Sequence, residues 1–173
     1  MRRKSRFLRK SFSQGDVSDG IDMSKSDDYP STVAEVLDQR MKFRPAALLA
    51  ISAFAQTKPW RGTVDERMVK FRELNTKLAA AYGIVVPQLV FGQLDGSDSG
   101  RSHYIPALHA IVLRGRLSVV TFLHEFAHAR GMNERRACRW SINLFRRCFP
   151  RSWSKVCFDD HLVRRQPTCS SPP

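Results

Sequence analysis

The segment TFLHEFAHARGMNE, Thr121 to Glu134, carries two of the chain's five histidines four residues apart, with a glutamate directly after the first. On a helix, positions i and i+4 leave the same face one turn apart, so His124 and His128 can offer imidazole nitrogens to one Zn²⁺ ion. Glu125 is rotated from His124 by about 100° on such a helix, which lets its carboxylate reach a water beside that ion as general base. A hydrolytic zinc site takes three protein ligands and keeps a fourth position for water. Glu134 is the candidate third ligand: Gly131 can end the first helix with a positive φ and Asn133 can begin a second, turning Glu134 back towards the histidines. It shares a helix face with Cys138, Ser141 and Phe145, an inward face where a lone carboxylate is costly unless paired or held by a metal.

The flanking VVTFL and FA make the histidine helix apolar nearly all round, so three ionisable groups on one turn call for a common partner. The competing reading is a pair of core histidines with hydrogen-bonded partners and no metal. Asp159, Asp160 and His161 are the reserve ligands. Such a hydrolase also needs a group that stabilises a tetrahedral oxyanion. Tyr104 is the catalytic candidate for that role, while His103 and His109 beside it read as surface residues.

These residues must be positioned by the elements around them. STVAEVLDQRMKF has helical spacing from Ser31, and Pro45 separates it from a buried AALLAISAFAQ. Thr63 caps a helix whose apolar stripe is Met68, Phe71, Leu74, Leu78 and Tyr82, and Gly83 ends it. PQLVFGQ and HAIVLRG read as strands, and residues 87–114 are expected to form an antiparallel hairpin. Ser118 caps the histidine helix, Asn133 caps the next, and Pro150 stops that one. The order predicts an α+β domain, mainly helical, with a short antiparallel hairpin before the histidine helix.

HEFAH resembles the zincin metallopeptidases. The following run ERRACRWSINLF is similar to the E-x-x-A-x-x-(W/F)-(A/S) helix of ImmA/IrrE-type small gluzincins, in which the glutamate is the third zinc ligand. That resemblance implies a zincin-like fold over about residues 63–150, peptide-bond hydrolysis, Glu134 as ligand with Ala137 one turn on, and a regulatory, often DNA-associated, protein as substrate. The spacer ARGMN is shorter than is usual in that family. It matches instead the metzincin spacing HExxHxxGxxH, with Gly131 in register and Glu134 where His or Asp is usual. No methionine follows Met132, so the metzincin Met-turn has no counterpart, and the downstream histidine of SprT-like proteases has none either.

The net charge of +13 attracts any polyanion and does not choose among nucleic acid, anionic membrane and acidic protein. Ten Arg or Lys against three Asp or Glu lie between Arg130 and Arg165, a local excess of seven positive charges. Arg135, Arg139, Arg146 and Arg147 avoid the Glu134 face and are the candidate nucleic-acid contacts. A basic nucleic-acid-binding protein, with structural zinc or none, is therefore the alternative to a peptidase. At 173 residues a single domain is expected over 31–165, after a disordered basic segment 1–30 and before a frayed tail 166–173. Met23 would serve equally well as a start. No signal-peptide pattern and no run of about 20 apolar residues is found, which predicts a cytoplasmic protein without a membrane span. Four cysteines without a CxxC pair predict reduced thiols and no thiolate zinc site.

Overall fold

The computed structural model describes residues 33–92, 101–115 and 117–155; segments 1–30 and 166–173, Met23 and the reserve ligands Asp159, Asp160 and His161 lie outside them. Helices α1 (Val33–Val36), α2 (Pro45–Gln56) and α3 (Val64–Tyr82) precede strands β1 (Gln88–Phe91), β2 (His103–Ile105) and β3 (Ala110–Leu113). Helices α4 (Val119–Ala129), α5 (Glu134–Cys148) and α6 (Pro150–Trp153) follow, giving an α+β fold. No helix among the described residues is long and apolar enough to cross a membrane.

The helix ends follow local chemistry. Thr63 and Glu66 cap α3 reciprocally, the Thr63 side chain accepting from the Glu66 N–H and the Glu66 carboxylate from the Thr63 N–H. Gly83, at φ +65°, ends it in the left-handed region. The helix expected to run from Ser31 to Met41 is shorter: α1 stops at Val36, because the Asp38 N–H donates to Asn143 Oδ1 at 2.8 Å and not to a carbonyl one turn back.

The expected antiparallel hairpin is not formed. β1 runs parallel to β3, with Gln88 opposite Ala110 and Phe91 opposite Leu113. β2 pairs antiparallel with the other side of β3, so the sheet order is β1-β3-β2. Between β2 and β3 a 3₁₀ turn, Pro106–Leu108, closes on His109 at φ 45° and reverses the chain. Two reversals between β1 and β3 restore the original direction, which is why the outer strands of the expected hairpin end up parallel.

The core lies where α4 meets β3, α3 and α5. β3 is buried along its whole length. Phe71, Phe122 and Phe126 are inaccessible to solvent, and edge contacts of 5.2 Å between Phe54 and Phe71 and 5.5 Å between Phe71 and Phe122 carry the packing from α2 through α3 to α4. The Arg130 guanidinium stacks 3.4 Å from the Tyr82 ring centroid and 4.9 Å from that of Trp140, tying the end of α4 to α3 and α5.

α1 is latched onto α5 by a buried amide. Asn143 Nδ2 donates to the Val36 carbonyl at 2.6 Å and to the Arg139 carbonyl at 2.7 Å, while its Oδ1 takes the Asp38 N–H. Asp38 in turn pairs with the Arg139 guanidinium, which together with the Arg40 N–H holds its carboxyl below the usual range. Asn143→Ala strips the Val36 carbonyl and the Asp38 N–H of their partner. At about 1–3 kcal/mol per buried polar group left unsatisfied, the expected loss is about 2–4 kcal/mol in urea unfolding. A change below about 0.5 kcal/mol would contradict the latch.

Candidate metal centre

Helix α4 begins at Ser118, whose hydroxyl accepts from the Thr121 N–H, and it buries Phe122, Leu123, Glu125, Phe126 and Ala127. It ends in a Schellman turn: the Gly131 N–H bonds the His128 carbonyl at 2.8 Å, the Met132 N–H bonds the Ala127 carbonyl at 3.1 Å, and Gly131 sits at φ +77°. Asn133 then caps α5 by accepting from the Arg136 N–H at 3.1 Å. The chain thereby reverses within the few residues between the helices and brings Glu134 back over α4, as the positions of Gly131 and Asn133 predict.

The result is a triangle of three side chains, in which each Glu134 oxygen faces one histidine. His124 Nε2 and His128 Nε2 are 3.0 Å apart. Glu134 Oε1 is 3.1 Å from His124 Nε2, and Glu134 Oε2 is 3.1 Å from His128 Nε2. A tetrahedral zinc ion with Zn–N and Zn–O bonds of about 2.0–2.1 Å has neighbouring donors about 3.3 Å apart. The three side chains therefore fit a small cation with little movement.

Protonation makes the same point. The Met132 carbonyl, presented by the Schellman turn, accepts a hydrogen bond from His128 Nδ1–H at 2.9 Å. That bond orients the ring so that Nε2 faces Glu134 and His124. Burial, ahead of the opposing Glu134 carboxylate, pushes the His124 pKa down and favours its neutral form. Two imidazoles and a carboxylate thus converge on one point, a donor set whose chemistry suits a divalent cation.

Cys138 adjoins this triangle. Its thiol donates to Glu134 Oε1 at 3.5 Å, and its sulfur lies 3.8 Å from His124 Nδ1. A second grouping, His124, Glu134 and Cys138, has donor atoms within 4.8 Å of one another. The two-histidine set is tighter, and the sulfur faces the opposite ring nitrogen of His124, so we take His124, His128 and Glu134 as the centre. Sequence reasoning put Cys138 on the Glu134 face without giving it a part; its signal was the four-residue spacing from Glu134.

Glu125 is 7% exposed and its side chain lines the same cleft as the triangle. Burial raises its pKa from the usual 4.5 to about 7, against the pull of His128 and a hydrogen bond from the Tyr104 backbone N–H. The cleft, about 630 Å³, lies between β2, α4 and the turn into α5, with Ser102, His103, Tyr104 and Pro106 on the strand side. Tyr104 and His109 bond to each other. The Tyr104 hydroxyl is held at 2.8 Å by His109 Nδ1, and His109 Nε2 donates to the Val85 carbonyl at 3.0 Å. Tyr104 therefore meets the catalytic candidate through its backbone, and His109 is a structural partner.

Arg139 pairs with Asp38, and Asp38 lines a hollow of about 380 Å³ together with Met41, Phe43, Asn143, Arg146 and Arg147. Comparison of the chain with protein-family models, curated proteins and solved structures finds no match.

The Glu125 shift has a stability consequence. Its folded pKa lies above its unfolded one, so between about 4.5 and about 7 the native state keeps a proton that the unfolded chain has released, and stability falls across that window. In chelator-treated protein, Glu125→Gln is expected to stabilise the fold at pH 8 by up to about 3 kcal/mol and to have little effect below pH ~4.5. Equal effects at both pH values in thermal melts would contradict the buried, proton-retaining carboxyl.

Proposed function

We propose that this protein is a zinc-dependent metallopeptidase, with His124, His128 and Glu134 as ligands and Glu125 as general base. The observation that carries this reading is the donor triangle with edges of 3.0–3.1 Å, beside a buried carboxyl of raised pKa in an open cleft. The HExxH resemblance to zincins, and that of the α5 run to ImmA/IrrE-type gluzincins, agree with it and point to a regulatory or DNA-associated protein as substrate.

Zinc held by His124, His128 and Glu134 would supply Lewis acidity towards a peptide carbonyl and towards water. Glu125, lining the same cleft, is placed to take the proton of an attacking water and return it to the leaving amine. The Tyr104 N–H steadies the Glu125 carboxylate through that exchange. The Tyr104 hydroxyl can serve an oxyanion only after leaving His109. β2 is an edge strand bordering the cleft, so an extended peptide can lie alongside it.

The alternative, a nucleic-acid-binding protein in which any zinc is structural, draws on Arg146 and Arg147, which have no ion pair among the described residues. It calls for affinity that falls steeply with added salt. The peptidase reading is the better supported, because it accounts for Glu125 as well as the triangle.

Glu125→Gln is expected to keep its zinc and to lose about 10²–10⁴-fold in the rate of cleavage of an unfolded protein substrate. Retained metal with undiminished cleavage would remove Glu125 from the chemistry.

A further inference from the structure

Cys138 is 3% exposed, and its position in α5 is fixed from behind. Val36 of α1 and Ile142 pack with it in a small apolar cluster, and the thiol also reaches the donor triangle. There it makes two contacts of opposite sense: it donates to Glu134 Oε1 at 3.5 Å and faces His124 Nδ1 at 3.8 Å. A thiol can do both at once, because its proton goes to the carboxylate while the sulfur lone pairs accept the Nδ1–H. His128 has its counterpart in the Met132 carbonyl, which holds its Nδ1–H at 2.9 Å. Each histidine thus has its Nδ1 occupied by a hydrogen-bond acceptor, leaving each Nε2 directed into the triangle.

We infer that Cys138 is a positioning residue for the metal centre: its thiol orients His124 through Nδ1 and Glu134 through Oε1, without ligating the metal. This rests on the proposed zinc site and deepens it. Outer partners of histidine and carboxylate ligands fix ring orientation, and their loss typically lowers metal affinity 10–100-fold. The contacts also give α1 a part in the site, since the Asn143 latch holds Val36 against the far side of the thiol.

The test compares wild type with Cys138→Ala and Cys138→Ser by zinc competition against a chromogenic chelator, and records the absorption spectrum of the Co²⁺-loaded wild type. Alanine and serine leave nearly the same void, so a packing role would harm both, and serine more because it buries a hydroxyl. A positioning role predicts the reverse: zinc affinity falls about 10–100-fold in the alanine variant and largely recovers in the serine variant. The Co²⁺ spectrum is expected to lack a thiolate charge-transfer band. Alanine binding zinc as tightly as wild type, or serine no better than alanine, would overturn the inference, and a thiolate band would make Cys138 a ligand instead. Wild type that takes up neither metal would sink the zinc site itself, an outcome distinct from the failure of Cys138 alone.

Discussion

Two imidazoles and a carboxylate are held 3.0–3.1 Å from one another, and the rest of the structure serves that constraint. Their approach is enforced by one short connection, in which Gly131 adopts a positive φ, Met132 offers its carbonyl to His128, and Asn133 starts α5 so that Glu134 falls in its first turn. The same few residues end one helix, orient one ligand and deliver another.

The packing around α4 is aromatic and continuous. Phe122 and Phe126 on α4 are buried against α3 and α5, and Trp140 stacks on Phe126 at 6.3 Å, so α4 is clamped on the side away from its histidines. The opposite side is left to the cleft. Glu125 stands at the boundary between the two, buried enough to retain a proton yet lining the open volume. Burial of that carboxyl raises its pKa, so its ionised form costs stability.

Much of this could be read from the chain because it depends on local chemistry. The i and i+4 histidines, the capping residues Thr63, Ser118 and Asn133, and the glycine stops Gly83 and Gly131 each act within a few residues, and the helices they bound are found where expected. What was missed depends on distant partners. α1 is cut short by Asn143, 105 residues from Asp38. β2 is only three residues long and too brief to show a pattern, and without it the parallel pairing of β1 and β3 could not be foreseen. The Tyr104 hydroxyl is lost to His109 because a left-handed residue after a 3₁₀ turn swings that ring back over the strand. Arg139 likewise faces outward, as its helical position implied, but meets a carboxylate from a segment nearly the whole domain away in sequence.

The central claim is that His124, His128 and Glu134 jointly hold one zinc ion. The most direct measurement is the zinc bound per chain after equilibrium dialysis, for wild type beside His128→Ala and Glu134→Ala, in protein made without a histidine tag. One zinc per wild-type chain, lost in both variants, is the predicted result. Wild type that binds no zinc, or variants that both retain it, would contradict the account.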